Sequence, residues 1–304
     1  MSLWRTVLVK IKVPATTANL GPGFDCIGMA LSIYNYVHVR EGTETGEALI
    51  VHGTERVPAG TDNLIYKTMA NFYHNAGKNL PSLTIWQEDN IPMTRGLGSS
   101  AACIVAGLMA ANVMARTGLT TKDLVQMAAQ IEGHPDNSTP ALVGGLTVGA
   151  MTHERLEYIR ISSHGWENLR FALMLPDFEL STEMARGILP KEYTREDAVH
   201  NTSRAALLVA ALINGDFEKL TFALDDRLHQ PYRLPMVPDM EAIFKEAKKN
   251  GAYNAFLSGA GPALIAVTEN ANFLPQMKDY LKTLTNEWTI TWVRPDFTGA
   301  TIED

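Results

Sequence analysis

Gly96-Leu97-Gly98-Ser99-Ser100-Ala101 sets two glycines and two hydroxyls ahead of an apolar, alanine-rich run over residues 101–115. Glycine lets a backbone come close to a ligand, and the first turn of a helix offers unpaired N–H groups and a partial positive charge. Together they form a cradle for an anion such as phosphate. Serine hydroxyls at that place can reach a phosphate oxygen or a magnesium ion. The run is not a Walker A loop, because no Gly-Lys-Ser/Thr follows. It does fit the G-x-G-x-x-A dinucleotide pattern, but that reading needs the first glycine directly after a strand. Here residues 89–95 intervene, and a second helix follows the first. Taken alone, the hexapeptide fits a glycine turn capping a helix as well as it fits a ligand loop.

Such a cradle must be held by regular elements. Residues 6–13 alternate through Val7, Val9, Ile11 and Val13, and residues 31–40 through Leu31, Ile33, Val37 and Val39, so both read as strands. Between them residues 14–28, with Asn19, Gly21, Pro22, Gly23, Asp25 and Gly28, read as a long ordered loop, the kind that tends to be functional. A helix is expected over 62–77 with Asp62 as its N-cap, then a strand over 83–88. The helix after the cradle runs to Thr117 and stops at Gly118; Thr120 and Asp123 open the next with a capping box. Residues 144–151 read as a buried strand. Further on, strands are expected at 170–176, 253–257, 263–268 and 288–294, and helices at 196–214, 217–228, 239–249 and 273–284. Strands grouped with packed helices, without strict βαβ alternation, give an α+β class. The polar stretch 162–166 divides the chain into residues 1–164 and 165–304, as its 304-residue length suggests.

Net charge is −7 and no run of Lys and Arg stands out, which argues against nucleic acid and anionic membrane as partners. Two cysteines, Cys26 and Cys103, lie far apart and outside any CxxC pair, so neither a zinc nor a redox motif is expected. Charges at Arg5, Lys10 and Lys12 leave no signal-peptide core, and the most apolar stretch is too short to span a bilayer. A cytoplasmic protein is the expectation.

Three motifs then agree. Pro92-x-x-x-Gly96-Leu97-Gly98-Ser99-Ser100-Ala101-Ala102 resembles the central ATP motif of the GHMP kinase superfamily (galactokinase, homoserine kinase, mevalonate kinase, phosphomevalonate kinase). Lys12-Val-Pro-Ala-Thr-Thr-Ala-Asn-Leu-Gly-Pro-Gly-Phe-Asp25 resembles its first motif in the form typical of homoserine kinases, and Ser258-Gly259-Ala260-Gly261-Pro262 resembles the third. Their order and spacing match across nearly the whole chain. The resemblance implies an N-terminal domain like domain 2 of ribosomal protein S5, a ferredoxin-like C-terminal domain, an active site between them and, as in many members, a homodimer. It also implies phosphorylation of L-homoserine by ATP with Mg²⁺, a step in threonine biosynthesis.

Homoserine is a zwitterion with a neutral hydroxyl, so its site needs acceptors for an ammonium and a cationic fork for a carboxylate. By resemblance, Asn19 and Asp25 hold the amine and hydroxyl end, Arg186 and Arg233 hold the carboxylate, and His134, Asn137 and Gly259 line the same pocket. Ser100 (or Ser99) and Glu132 match the metal ligands. Asn63 matches the adenine region, and Pro92, Arg95, Gly96, Leu97, Gly98, Ser99, Ser100 and Ala101 the remaining ATP contacts. Plainer readings exist for each: Asp25 as a turn residue, the arginines as solvated charges, His134 as a cap on the preceding helix. Where mevalonate-kinase-like siblings use an aspartate as base, the matching position is Asn137, which takes no proton; Asp136 is expected to point elsewhere. Direct attack of the hydroxyl on the γ-phosphate follows, with Lys12 a further candidate for charge neutralisation. Rival readings are a GHMP kinase for another alcohol such as mevalonate, a nicotinamide-dependent oxidoreductase, and a non-catalytic sensor of the same fold.

Overall fold

A computed structural model describes residues 8–162 and 165–303. The start of the first expected strand, Thr6 and Val7, and part of the expected division at 162–166 lie outside them. The strands are β1 (Leu8–Asn19), β2 (Gly23–Glu41), β3 (Leu49–His52), β4 (Leu83–Glu88), β5 (Leu146–Met151), β6 (Leu156–Ile161), β7 (Arg170–Pro176), β8 (Ala252–Leu257), β9 (Leu264–Thr268), β10 (Trp288–Val293) and β11 (Thr301–Glu303). The helices are α1 (Leu64–Asn75), α2 (Ser99–Met114), α3 (Thr121–Glu132), α4 (Ser138–Val143), α5 (Thr182–Gly187), α6 (Arg195–Asn214), α7 (Leu220–Ala223), α8 (Gln230–Arg233), α9 (Met240–Lys249) and α10 (Phe273–Leu281).

Two sheets organise these elements. The first runs β11-β1-β2-β4-β3, and β5 pairs with the near end of β2 and carries β6 on its other edge. Among the described residues only β3 and β4 pair in parallel within it. The second is antiparallel in the order β10-β7-β9-β8. Counted along the second half, its strands stand in the order 4-1-3-2, with helices between the first and second and between the third and fourth, which is the ferredoxin-like arrangement. Helices α9 and α10 cover that sheet through Ile243, Ala247, Phe273 and Met277. The larger core lies between the first sheet and α1–α4 and continues to α6 and α7. Strands β1–β6 belong to the first sheet and β7–β10 to the second, and β11 returns to pair with β1.

The long loop expected over 14–28 is not a loop. β1 runs on to Asn19 and β2 starts at Gly23, so Ala15, Thr16, Thr17 and Ala18 pair with Leu31, Ala30, Met29 and Gly28. Pro14 is tolerated because the register shifts between it and Ala15, and a second shift follows Ala18. The hairpin therefore turns over only Leu20, Gly21 and Pro22, and Asn19, Leu20 and Asp25 take φ of 71°, 44° and 55°. Small side chains on this arm let α2 and the cradle lie close above it.

Other boundaries shift for local reasons. Asn63, not Asp62, caps α1: its side chain accepts from the Tyr66 N–H, while exposed Asp62 pairs with Lys67. The Thr120/Asp123 capping box opens α3 as expected. The helix expected over 217–228 ends at Ala223, because Asp226 accepts from the N–H groups of Leu228, His229 and Gln230 and starts α8 instead. No helix among the described residues is long and apolar enough to cross a membrane.

Candidate active site

Residues 92–100, the β1–β2 tip, residues 132–137, α5 and the turn after β8 meet around one cleft of about 850 Å³, whose wall also takes in residues 62–64, Gln87 and Arg233. At its floor lies the glycine cradle. Gly96 and Gly98 have φ of 73° and 70°. A Cβ on Gly96 would lie 2.1 Å from the Ser258 carbonyl oxygen, and one on Gly98 would lie 2.0 Å from Thr16 Oγ1. Only glycine permits this closeness. The same approach locks the three motifs together. Ser258 Oγ donates to the Gly96 carbonyl (2.6 Å), the Thr16 N–H donates to Leu97 O (3.0 Å), and Ser258 Oγ also meets Thr17 Oγ1 (2.8 Å).

Gly98 sits at the N-cap of α2 and provides no side-chain acceptor, so the N–H groups of the first turn stay open to a ligand. Ser99 and Ser100 stand in that turn and line the cleft; Ala101 is fully buried, so its backbone alone could face a nucleotide. Arg95 lines the cleft too, but its guanidinium is tied to the carbonyls of Pro176, Asp177 and Phe178. Its charge thus fixes the loop to the end of β7.

Opposite the cradle, α3 ends at Glu132, and the αL residue Gly133 turns the chain back into the cleft. Glu132 Oε2 accepts from the Ser138 N–H at 3.0 Å. Burial pushes its carboxyl up to about 7, against the pull of His134 and with the push of Asp136. His134 Nδ1 lies 2.5 Å from Asp136 Oδ1. Burial draws the imidazole down, but the hydrogen bond and charge of Asp136, together with Glu132, hold it above its ordinary value. Asp136 does not point elsewhere: it lines the cleft, and ligand atoms of Asp25, His134 and Asp136 all lie within 4.8 Å of one another. Asn137 Oδ1 accepts from Thr16 Oγ1 (2.8 Å), which leaves its amide N–H groups for the cleft. An oxygen set of Glu132 with Ser99 or Ser100 suits a hard divalent ion, and a carboxyl raised by burial is one that a cation would return to its charged form.

The hairpin tip brings the zwitterion-binding candidates together. Asn19 is buried; its Nδ2 donates to Gly259 O (3.0 Å) and its Oδ1 accepts from the Asp25 N–H (3.0 Å). Arg186, from α5, grips Asp25 with both Nη atoms, at 3.0 and 2.8 Å. Arg233 is 1% exposed. Its Nε donates to Ala185 O (3.0 Å), and its Nη1 donates to Gly259 O (3.0 Å) and His229 Nδ1 (3.1 Å). Burial and the neighbouring Arg186 pull its guanidinium down to about 10. His229 is fully buried and donates from Nε2 to Gly21 O (2.8 Å), since a carbonyl only accepts; Nδ1 is then the acceptor for Arg233, and burial keeps the ring neutral. Phe24 stacks on His229 and lies 5.8 and 5.6 Å from the two guanidinium carbons. One hairpin tip thus carries an acid, an amide and an aromatic face for two arginines.

Pro92, Leu97 and Asn63 line the cleft, Asn63 with its side chain already serving as the cap of α1. Lys12 does not reach the cleft; its ammonium lies 4.0 Å from the Tyr34 ring centroid on the first sheet. Sequence alone does not single out Thr16, His229 or the cleft-facing side chain of Asp136. The clue to Asp136 was its place beside His134, since a histidine next to a turn acid is often held by it.

Comparison with known proteins agrees with this geometry. Residues 63–145 match the family model of the GHMP kinases N terminal domain, and residues 208–283 that of the GHMP kinases C terminal. A homoserine kinase of Clostridium acetobutylicum is 43% identical over 298 residues, covering 97% of this chain and 100% of that protein. Another, from Clostridium novyi, is 43% identical and covers 97% and 99%. The crystal structure of homoserine kinase from Cytophaga hutchinsonii shares the fold with a TM-score of 0.85 at 24% identity, covering 100% of this chain and 99% of that one. A two-domain α+β chain with its glycine cradle between a hairpin tip and a ferredoxin-like sheet is a GHMP kinase, and this chain belongs to that superfamily. Within the superfamily it belongs to the homoserine kinases.

Proposed function

We propose that this chain transfers the γ-phosphoryl group of ATP to the hydroxyl of L-homoserine, with Mg²⁺ as the metal. The observation that carries the reading is the grouping of Asp25, Arg186 and Arg233 in the same cleft as the open first turn of α2. An acid and two cations side by side suit an amino acid zwitterion. They do not suit mevalonate, which has no ammonium for Asp25.

Phosphoryl transfer passes through a loose transition state, so positioning and charge neutralisation supply most of the acceleration. Here Gly96–Ser100 and the N–H groups of α2 would receive the phosphates. Glu132 and Ser100, or Ser99, would hold the metal, which neutralises phosphate charge. Asp25 and Asn19 would orient the ammonium, Arg186 and Arg233 the carboxylate. Asn137, its oxygen committed to Thr16, would direct an N–H toward the reacting oxygens. An amide takes no proton, so the hydroxyl attacks directly and its proton leaves with the phosphoryl product or solvent. A dimer in the cytoplasm is the setting we expect.

Release of ADP from Mg-ATP with homoserine, mevalonate, galactose or no acceptor tests the reading. Turnover with homoserine alone supports it. Turnover with another alcohol keeps the kinase and discards the assigned pocket. ATP binding without turnover on any of them favours a sensor.

A further inference from the structure

Gln87, at the end of β4, stands in the cleft wall between two groups that can each play one part only. The Tyr66 N–H donates to Asn63 Oδ1 (3.1 Å), which turns Asn63 Nδ2 toward Gln87 Oε1 (3.2 Å). On the other side Gln87 Nε2 donates to Asp89 Oδ1 (2.7 Å) and reaches Cys103 Sγ at 3.6 Å. A primary amide has two N–H hydrogens and two oxygen lone pairs. Both hydrogens of Gln87 are engaged and one lone pair is filled, so its remaining capacity is a single acceptor position on Oε1. Gln87 and Asn63 both line the cleft, but Gln87 keeps 7% of its surface and Asn63 only 1%, so Gln87 is the better placed to meet a ligand. Asp89 is itself held by Asn35 Nδ2 (3.3 Å), whose Oδ1 accepts the N–H groups of Asn90 and Ile91 at 2.8 Å each. The second oxygen of Asp89 is buried without a hydrogen-bond partner, so the carboxylate spends its side-chain hydrogen bonding on Gln87 and Asn35.

We propose that Gln87, held in one amide orientation by Asp89, selects the nucleobase, accepting from the exocyclic amine of adenine and rejecting the carbonyl at the same place in guanine. The proposal rests on reading the cleft as a nucleoside triphosphate site. An unrestrained glutamine would serve either base by turning its amide over. Asn63 Nδ2 donates and the Asp89 carboxylate accepts, and together they remove that freedom. Guanine would then set two oxygens against each other, and a site built to pair with a donor rejects an analogue that lacks it. Asp89 is a positioning residue, acting through Gln87.

Calorimetric titration of the full chain with ATP and with GTP tests this without reference to turnover. The wild type should prefer ATP by about tenfold or more. Gln87→Met and Asp89→Leu should bring the two affinities to within about threefold, whereas Asp89→Asn, whose amide oxygen still accepts, should keep the preference. Thermal melts identify any variant that does not fold; if Asp89→Leu is one, Gln87→Met, of nearly the same length, carries the test. Equal affinity of the wild type for both nucleotides would overturn the proposal, as would a full preference retained by folded Gln87→Met. Binding of neither nucleotide would remove the nucleotide site and this proposal together. An ATP preference that depends on Gln87, without phosphorylation of homoserine, would sustain the proposal and remove only the substrate assignment.

Discussion

Asp25 and Arg186, 161 residues apart, face each other as a two-pronged ion pair at 3.0 and 2.8 Å. In the proposed reading this pair receives the amino acid substrate, and its two halves are what such a substrate needs. An entering zwitterion would give Asp25 an ammonium and Arg186 a carboxylate, exchanging one internal pair for two with the ligand. Both side chains are about a third exposed, 32% and 38%, so the internal pair is screened by water and adds little to stability.

The guanidinium fork is therefore expected to matter for substrate more than for fold. Arg186→Lys keeps the charge and loses the fork. The KM for homoserine should rise about tenfold or more while the KM for ATP stays within about twofold. Initial rates at varied homoserine and varied ATP decide it; an equal rise in both constants would contradict the division of the cleft.

Arg233 should behave differently. Its guanidinium satisfies Ala185 O, Gly259 O and His229 Nδ1 from inside the protein. Arg233→Ala strands these acceptors and should cost about 3 kcal/mol of stability. Urea unfolding measures this. A loss under about 1 kcal/mol would mean that the arginine is held in place for its ligand alone.

Glu132 gives a pH dependence. Its carboxyl is raised from 4.5 to about 7 in the folded chain. The folded state thus holds more protons than the unfolded one across that interval, and the stability this group contributes falls as pH rises through it. A divalent ion needs the ionised form. Affinity for the ion in the presence of ATP should therefore rise about tenfold from pH 6 to pH 8, and Glu132→Gln should flatten the curve. A pH-independent affinity in the wild type would take Glu132 out of the metal site.

Gly98→Ala adds a methyl that would lie 2.0 Å from Thr16 Oγ1 and 3.1 Å from Asn137 Oδ1, at a φ of 70°. Either the first turn of α2 moves or Thr16 releases Asn137. Turnover should fall at least about tenfold with circular dichroism little changed, since the strain sits at the cradle. Wild-type turnover would mean that the cradle does not position the phosphates.

The fold was legible where one local rule decides an element. β4 falls on the expected residues 83–88, and α3 opens on the expected Thr120/Asp123 box. The second sheet was visible as strands, but its order was not, because no local pattern states which strand pairs with which. In sequence the arm of the first hairpin looks like a loop, since Pro14, two threonines and two alanines lack the apolar alternation of a strand; pairing with β2 and cover by the cradle make them one. Candidate site residues were legible as motifs. What they do to each other was not: the grip of Arg186 on Asp25, the acceptor role of His229 and the turn of Asp136 toward His134 depend on contacts between elements.

One hydroxyl, that of Ser258, joins Thr17 and Gly96, 241 and 162 positions away along the chain. Contacts of that separation bear the full entropy of closing long loops and form slowly. Helices and the hairpin can appear early during folding, but the cleft cannot exist until the turn after β8 has docked beneath the cradle. During refolding, then, secondary structure should return before the capacity to bind nucleotide.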